Sequence, residues 1–272
     1  MKCPRCGEDM VFAESCLCGW MREETDEELK ARLNAETERI AKIRQKIDDT
    51  AQRSLVEFAT QKSSMVYLVP PSYDVEPMDG ERMLKSIERA GRTCYKSEDK
   101  ITEDSAREFV RMIIKRGHES VLEHEKVTVR IICDRGVSHE IVRHRLASYS
   151  QESTRYCNYS ADKFGNKVSV IDMSKYLPGD SFLTWMLAMN AASGAYARLI
   201  ELGVSPQIAR SVLPNALKTE IVVTCNLREW RHIFKLRTSR AAHPQMREIM
   251  VPLLAEFKRM IPVVFDDIEV NE

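Results

Sequence analysis

Residues 143–156 read RHRLASYSQESTRY, a stretch that gathers three arginines, three serines, two tyrosines and a histidine. Arginine forks grip phosphate oxygens in pairs, and serine hydroxyls add donors of shorter reach. A nucleotide phosphate needs that combination. A solvated run of surface ion pairs is the bland alternative for arginines alone. The interleaved serines and tyrosines, and further arginines at Arg210, Arg228 and Arg237, weigh against it. No glycine-rich phosphate loop occurs anywhere, so a nucleotide would be held by side chains. A second constellation lies at the start of the chain, where Cys3 and Cys6 form a C-x-x-C pair and Cys16 and Cys18 a C-x-C pair. Four thiolates close a tetrahedral zinc site, and in so short a segment the metal would supply most of the folding free energy. Cys94, Cys133, Cys157 and Cys225 are scattered and read as reduced packing thiols.

Elements to position these groups can be read from periodicity. Residues 25–60 lack glycine and proline and carry Leu29, Leu33, Ile40, Ile43 and Ile47 at helical spacing, which predicts a long amphipathic helix; its heptad is interrupted at Glu36, so a helix lying on the main domain is an alternative of at least equal weight to a short coiled coil. The stretch 69–77, VPPSYDVEP, reads as a break before a larger domain. Helices are expected over DGERMLKSIERAG and over TEDSAREFVRMIIKRG, the latter capped by Thr102 and closed by Gly117. Residues 126–133 and 219–226 alternate in the manner of strands. A helix over 135–146 would place His139 with Arg143, and Glu140 with His144, on one face, with a loop to follow. Three more helices are expected: one over SFLTWMLAMNAASGAYARLIELG, a short one after Ser205 with Pro206 at its first position, and one over 227–237. A last helix starts at HPQ. Trp185, Met186 and Met189 read as core, and His124 and His139 as structural. The expected division is a zinc knuckle over 1–20, a helix and linker over 21–65, and a main α/β (α+β) domain over 66–272.

Composition excludes some functions. The chain has 272 residues, 43% hydrophobic, with 41 basic and 41 acidic side chains, so overall charge gives no argument for nucleic acid or membrane. No apolar run approaches the roughly 20 residues of a membrane helix, and MKCPRCGEDM lacks a signal-peptide core, which makes the cytoplasm the expected location.

Arg143, His144 and Arg145, followed after seven residues by Ser153 and then by Arg155 and Tyr156, resemble the RHR(X)7S signature of the flavin-dependent thymidylate synthase (ThyX) family. GHESVLEH (117–124), IARSVLP (208–214), CNLREWRHIFKLR (225–237) and HPQ (243–245) resemble the family's other blocks in the same order, over roughly residues 66–265. The resemblance implies a central sheet flanked by helices in an α/β homotetramer with active sites at subunit interfaces. It also implies reductive methylation of dUMP to dTMP, with methylenetetrahydrofolate as carbon donor, NADPH as reductant and FAD as relay. By position it assigns His118, Ser120, Arg143, His144 and Arg145, together with Asn226, Arg228 and His232, to the flavin. Glu140, Arg143, Gln151, Glu152, Ser153, Thr154, Arg155, Arg210 and Arg237 fall to dUMP. Arg237 would polarise the uracil ring; Ser153, with no base beside it to make it a nucleophile, would bind and activate the nucleotide. Glu140 stands where some relatives carry glutamine, and its carboxylate would repel a phosphate unless it turned to an arginine or a sugar hydroxyl.

Two rival readings stay in view. In one, the cysteine segment, the basic stretch and the tyrosines grip single-stranded nucleic acid and the enzyme-like domain is inactive. In the other, residues 1–60 dock subunits or a partner while the remainder catalyses.

Overall fold

The computed structural model describes residue 2 and residues 26–60, 65–157, 159 and 167–270, in two compact units, residues 1–57 and 58–272. The cysteine pairs 3/6 and 16/18 lie outside the described residues. The expected long helix is present as α1, Asp26–Thr60, all but its last three residues belonging to the first unit.

The second unit is built on two long strands. In β3, Lys126–Asp134, the residues Val127, Val129, Ile131 and Cys133 are buried, and in β6, Lys218–Asn226, so are Thr219, Ile221, Val223 and Cys225. Antiparallel pairing sets these residues directly opposite each other, from Val127 on Cys225 to Cys133 on Thr219, and so makes one apolar face. Two shorter strands complete the sheet in the order β2-β3-β6-β4: β2, Ser72–Val75, and β4, Ala147–Gln151. Both correct the sequence reading. Residues 69–77 are not simply a break, because SYDV forms an edge strand just after Pro70 and Pro71, where a missing N–H does no harm. The stretch after the signature's RHR is likewise a strand, not a loop. A separate parallel pair joins β1, Tyr67–Val69, to β5, Ser169–Ile171.

Helices α2 (Gly80–Tyr95) and α3 (Ser105–Lys115) share the main core with the sheet's apolar face. Asp104, not Thr102, precedes α3; the Thr102 N–H instead donates to the Ser105 hydroxyl. Helices α7 (Leu227–Arg237) and α8 (Pro244–Met260) complete that core with a knot of rings: Trp230 stacks on Phe234 at 5.5 Å, and Phe234 meets Phe257 edge-on at 5.1 Å. The Trp230 indole N–H donates to the Val127 carbonyl at 3.1 Å, which ties α7 to β3. A second core gathers Val66, Val168, Val170, Met189 and Tyr196 under α5 (Asp180–Glu201) and the short α6 (Pro206–Ala209), with Trp185 and Met186 packed against it as expected. Cys133 and Cys225 are buried, and burial pushes the Cys133 thiol up to about 12, in keeping with packing thiols; Cys157 is half-buried, and Cys94 is exposed, against the sequence reading.

Candidate active site

Two helices bring the chemistry together, and each starts from a capped strand end. Asp134, the last residue of β3, accepts the Val137 N–H at 2.7 Å and starts α4, Arg135–Ile141. Asn226, the last residue of β6, accepts the Glu229 N–H at 2.8 Å and starts α7. These caps satisfy N–H groups that a helix start leaves orphaned. The predicted helix over 135–146 therefore ends early, and the shared face of Glu140 with His144 does not exist: the chain turns after Ile141 and carries His144 inward, 5% exposed. Tyr149 of β4 secures that turn, its hydroxyl 2.9 Å from the Ile141 carbonyl and 2.6 Å from that of His144. Burial pushes the Tyr149 phenol up to about 12, so it stays a donor at neutral pH.

Arg237, at the end of α7, meets this turn. Its Nε donates to His144 Nε2 at 3.0 Å, Nη1 to the Glu140 carboxylate at 2.7 Å, and Nη2 to the Glu140 carbonyl at 2.8 Å. The Glu140 carboxylate has thus turned to an arginine, one of the two resolutions open to it. A guanidinium has five N–H donors, and three are used here, which leaves one on each Nη. Because His144 Nε2 accepts, its proton sits on Nδ1, which faces a carboxylate oxygen of Glu229 at 3.4 Å. Burial, with the electrostatic influence of the Arg237 guanidinium and of His232 adding to it, lowers the His144 pKa to about 4, so the ring is neutral. Burial likewise raises the Glu229 carboxyl, with His232 opposing the shift. The His232 ring stands edge-on to His144 at 5.5 Å. Ligand atoms of His144, Glu229 and His232 lie within 4.8 Å of one another, yet the Arg237 guanidinium against His144 already fills this place with fixed positive charge, which disfavours a cation.

The remaining expected residues fall into groups. Arg143 and Arg145 are exposed beside buried His144, and His124 and His139, read from the sequence as structural, are exposed as well. The Gln151 amide donates to the Ser138 hydroxyl at 2.9 Å and lies 3.2 Å from that of Thr219, while Glu152 accepts from Lys218 at 2.9 Å and from Tyr159 at 3.0 Å. Ser153 Oγ accepts the Arg155 N–H at 3.3 Å, and the Arg155 guanidinium lies over the Tyr156 ring at 5.4 Å. Arg210 donates to buried Thr154 Oγ1 at 2.9 Å, and both line a cavity of about 560 Å³ with Arg135 and His139. His118, Ser120 and Arg228 line a different cavity of about 370 Å³ with Tyr95, whose hydroxyl is 3.2 Å from His118 Nδ1. Arg228 and His232, four apart on α7, share an exposed face, and Arg228 donates to the Glu123 carboxylate at 2.6 Å. This mixture of ring, hydroxyl and guanidinium donors around an open cavity fits an aromatic, phosphate-bearing cofactor. Of the expected flavin residues, His118, Ser120 and Arg228 thus share one cavity; of the expected dUMP residues, Thr154 and Arg210 share another, and Gln151 and Glu152 line a third of about 650 Å³ with Lys218 and Tyr159.

Sequence reasoning missed Glu229, Tyr149 and Lys218. For Glu229 there was a signal: it stands three residues before His232, a spacing that sets a carboxylate and an imidazole on one helix face.

Residues 78–263 match the family model described as thymidylate synthase complementing protein. The chain belongs to this family. Its relatives include a flavin-dependent thymidylate synthase of Geobacter sulfurreducens, 36% identical over 67% of this chain and 80% of that protein. Another, from Pyrococcus furiosus, is 33% identical over 72% of this chain and 80% of its own length. The fold is shared with the UMP/dUMP methylase PolB of Streptomyces cacaoi, crystallised with 5-Br dUMP, at a TM-score of 0.62 and 23% identity over 74% of this chain and 96% of that one. The family match starts after α1, so the catalytic fold is the second unit. Among the described residues no helix is long and apolar enough to cross a membrane.

Proposed function

We propose that residues 66–272 carry out the reductive methylation of dUMP to dTMP as a flavin-dependent thymidylate synthase, with methylenetetrahydrofolate as carbon donor and NADPH as reductant. The observation that carries this reading in detail is the fixed guanidinium of Arg237, held by Glu140 and His144 with two N–H groups to spare. Carbon–carbon bond formation at position five of uracil needs electron density there. A preorganised cation against the neighbouring ring nitrogen and carbonyl favours the enolate-like ring and spends no reorganisation at the moment of reaction.

The other roles follow from reach. Arg155, Ser153, Thr154 and Arg210 would hold the nucleotide phosphate, with Arg143, Gln151 and Glu152 shaping the pocket. His118, Ser120, Arg143, His144, Arg145, Asn226, Arg228 and His232 would hold FAD, which supplies hydride transfer when bound. Because His118, Ser120 and Arg228 line one cavity while Thr154 and Arg210 line another, a second copy of the chain would complete each site, in line with a homotetramer. Exposed Leu146 and Tyr156 beside the signature support such a contact. Cys3, Cys6, Cys16 and Cys18 have the donor chemistry for a structural zinc.

The test is dTMP formation by purified protein given dUMP, methylenetetrahydrofolate, NADPH and FAD. Product that requires both FAD and NADPH is the expected result; folded, flavin-loaded protein that makes none would overturn the reading and bring forward the nucleic-acid alternative. Zinc at about one equivalent, lost in Cys3→Ser, is expected from elemental analysis.

A further inference from the structure

Helix α1 lies outside the family match. Leu33, Ile40, Ile43 and Ile47 are 56%, 45%, 48% and 60% exposed, on a helix with no glycine or proline. Their spacing of seven, three and four places them at the a and d positions of a heptad, the narrow seam by which helices pair. Glu36 falls on the same seam at a d position, paired with Arg39 at 3.6 Å.

The positions that flank this seam are e and g, and their chemistry is one-sided. On one flank stand Lys30, Thr37 and Arg44; on the other, Arg32, Arg39 and Lys46. All the charged members are basic and exposed, whereas the acids Glu38 and Asp49 lie away from the seam. A second copy of α1 is a poor occupant. A parallel pair would set Arg39 against Arg44 of the other copy, and an antiparallel pair would set each basic flank against itself. A membrane surface is also a poor occupant, because the apolar stripe is only two positions wide per heptad and residues 26–47 include no aromatic side chain. We propose that α1 is a docking helix for another protein's amphipathic helix, one with aliphatic residues on its seam, glutamate or aspartate on both flanks, and a lysine or arginine opposite Glu36 that sets the register.

The full-length protein is titrated into a fluorescently labelled peptide of about four heptads with Leu and Ile at a and d, Glu at e and g, and one Lys facing Glu36. A control peptide carries Lys at e and g. Saturable binding of the acidic peptide at about 10 μM or tighter, weakened by salt, and at least tenfold preference over the control are expected. Ile40→Asp with Ile43→Asp should weaken it at least tenfold while dTMP formation stays unchanged. Arg39→Glu with Arg44→Glu should move the preference toward the basic peptide. Failure of the acidic peptide to bind, or equal binding of both peptides, overturns the proposal. So does a fall in sedimenting mass in the double Asp variant, which would make the occupant a second copy. Capture of phosphatidylserine vesicles without peptide binding would make it a lipid surface.

Discussion

Arg237 donates through Nε to His144 Nε2 at 3.0 Å, so a residue at the end of α7 decides which nitrogen of His144 carries its proton. The remaining nitrogen faces Glu229, from the first turn of that same helix. Arg237, His144 and Glu229 thus form a line in which each group fixes the orientation of the next, and Glu140 holds the other side of the guanidinium.

Removing the cation should remove the chemistry and spare the cofactor. Arg237→Ala is expected to lower dTMP formation by at least about 10²-fold, the scale of losing a preorganised charge at a reacting centre. Flavin should be retained, since most of its expected contacts lie elsewhere. Arg237→Lys should do little better, because an ammonium cannot serve Nε and two Nη positions at once. The rate, together with the ratio of flavin to protein absorbance, checks both; normal turnover in Arg237→Ala would rule out the role.

Glu229→Ala removes the carboxylate that faces buried His144 Nδ1 at 3.4 Å, and should cost about 1–3 kcal/mol. Glu229→Gln keeps an acceptor oxygen in reach and should recover most of that stability and most of the rate. Urea unfolding with parallel assays separates the two variants; equal losses in both would mean the contact is not what orients the ring.

His144 also predicts a pH dependence of stability. Its pKa falls from the ordinary 6.5 to about 4 on folding, so between those values the unfolded chain binds a proton that the folded chain refuses. Stability contributed by the neutral ring is full above about pH 6.5 and is lost as pH falls toward 4, by up to about 3 kcal/mol. Unfolding free energies at pH 7 and pH 5 should differ less in His144→Gln than in the parent chain; an unchanged difference would place the titration elsewhere.

Arg155→Ala and Arg210→Ala should each weaken dUMP binding by about 10- to 100-fold, the scale of a hydrogen bond to a charged group, with flavin content unchanged. Equilibrium titration of dUMP measures this, and an unaltered affinity in Arg155→Ala would reject its place at the phosphate.

Much of the fold was legible because β3 and β6 alternate strictly and α2, α3, α7 and α8 each carry a buried stripe. The signature's own conformation was not. ASYSQ of β4 is only half-buried, and its small polar residues carry no apolar alternation, so nothing local announces a strand; pairing with β6 makes it one. The end of α4 at Ile141 depends on the Tyr149 hydroxyl meeting carbonyls eight and five residues earlier, a contact that exists only once that strand has formed. The residue types at the site could be read from the sequence. Their joining through Arg237 could not, because Glu140 and His144 lie 97 and 93 residues away from it in the chain.

Gly80 opens α2 at the point where α8 closes. A Cβ there would stand 1.9 Å from the carbonyl oxygen of Met260, so only a residue without a side chain lets these two backbones touch. Early and late parts of the catalytic unit are clasped directly, and β3 is zipped to β6 along its whole length. Continuity of the chain at the exposed turn around Gly203, between α5 and α6, is therefore not what holds the halves in place. A protease nick at that turn should leave two fragments that migrate as one particle, and the halves produced as separate polypeptides should find each other and restore the enzyme.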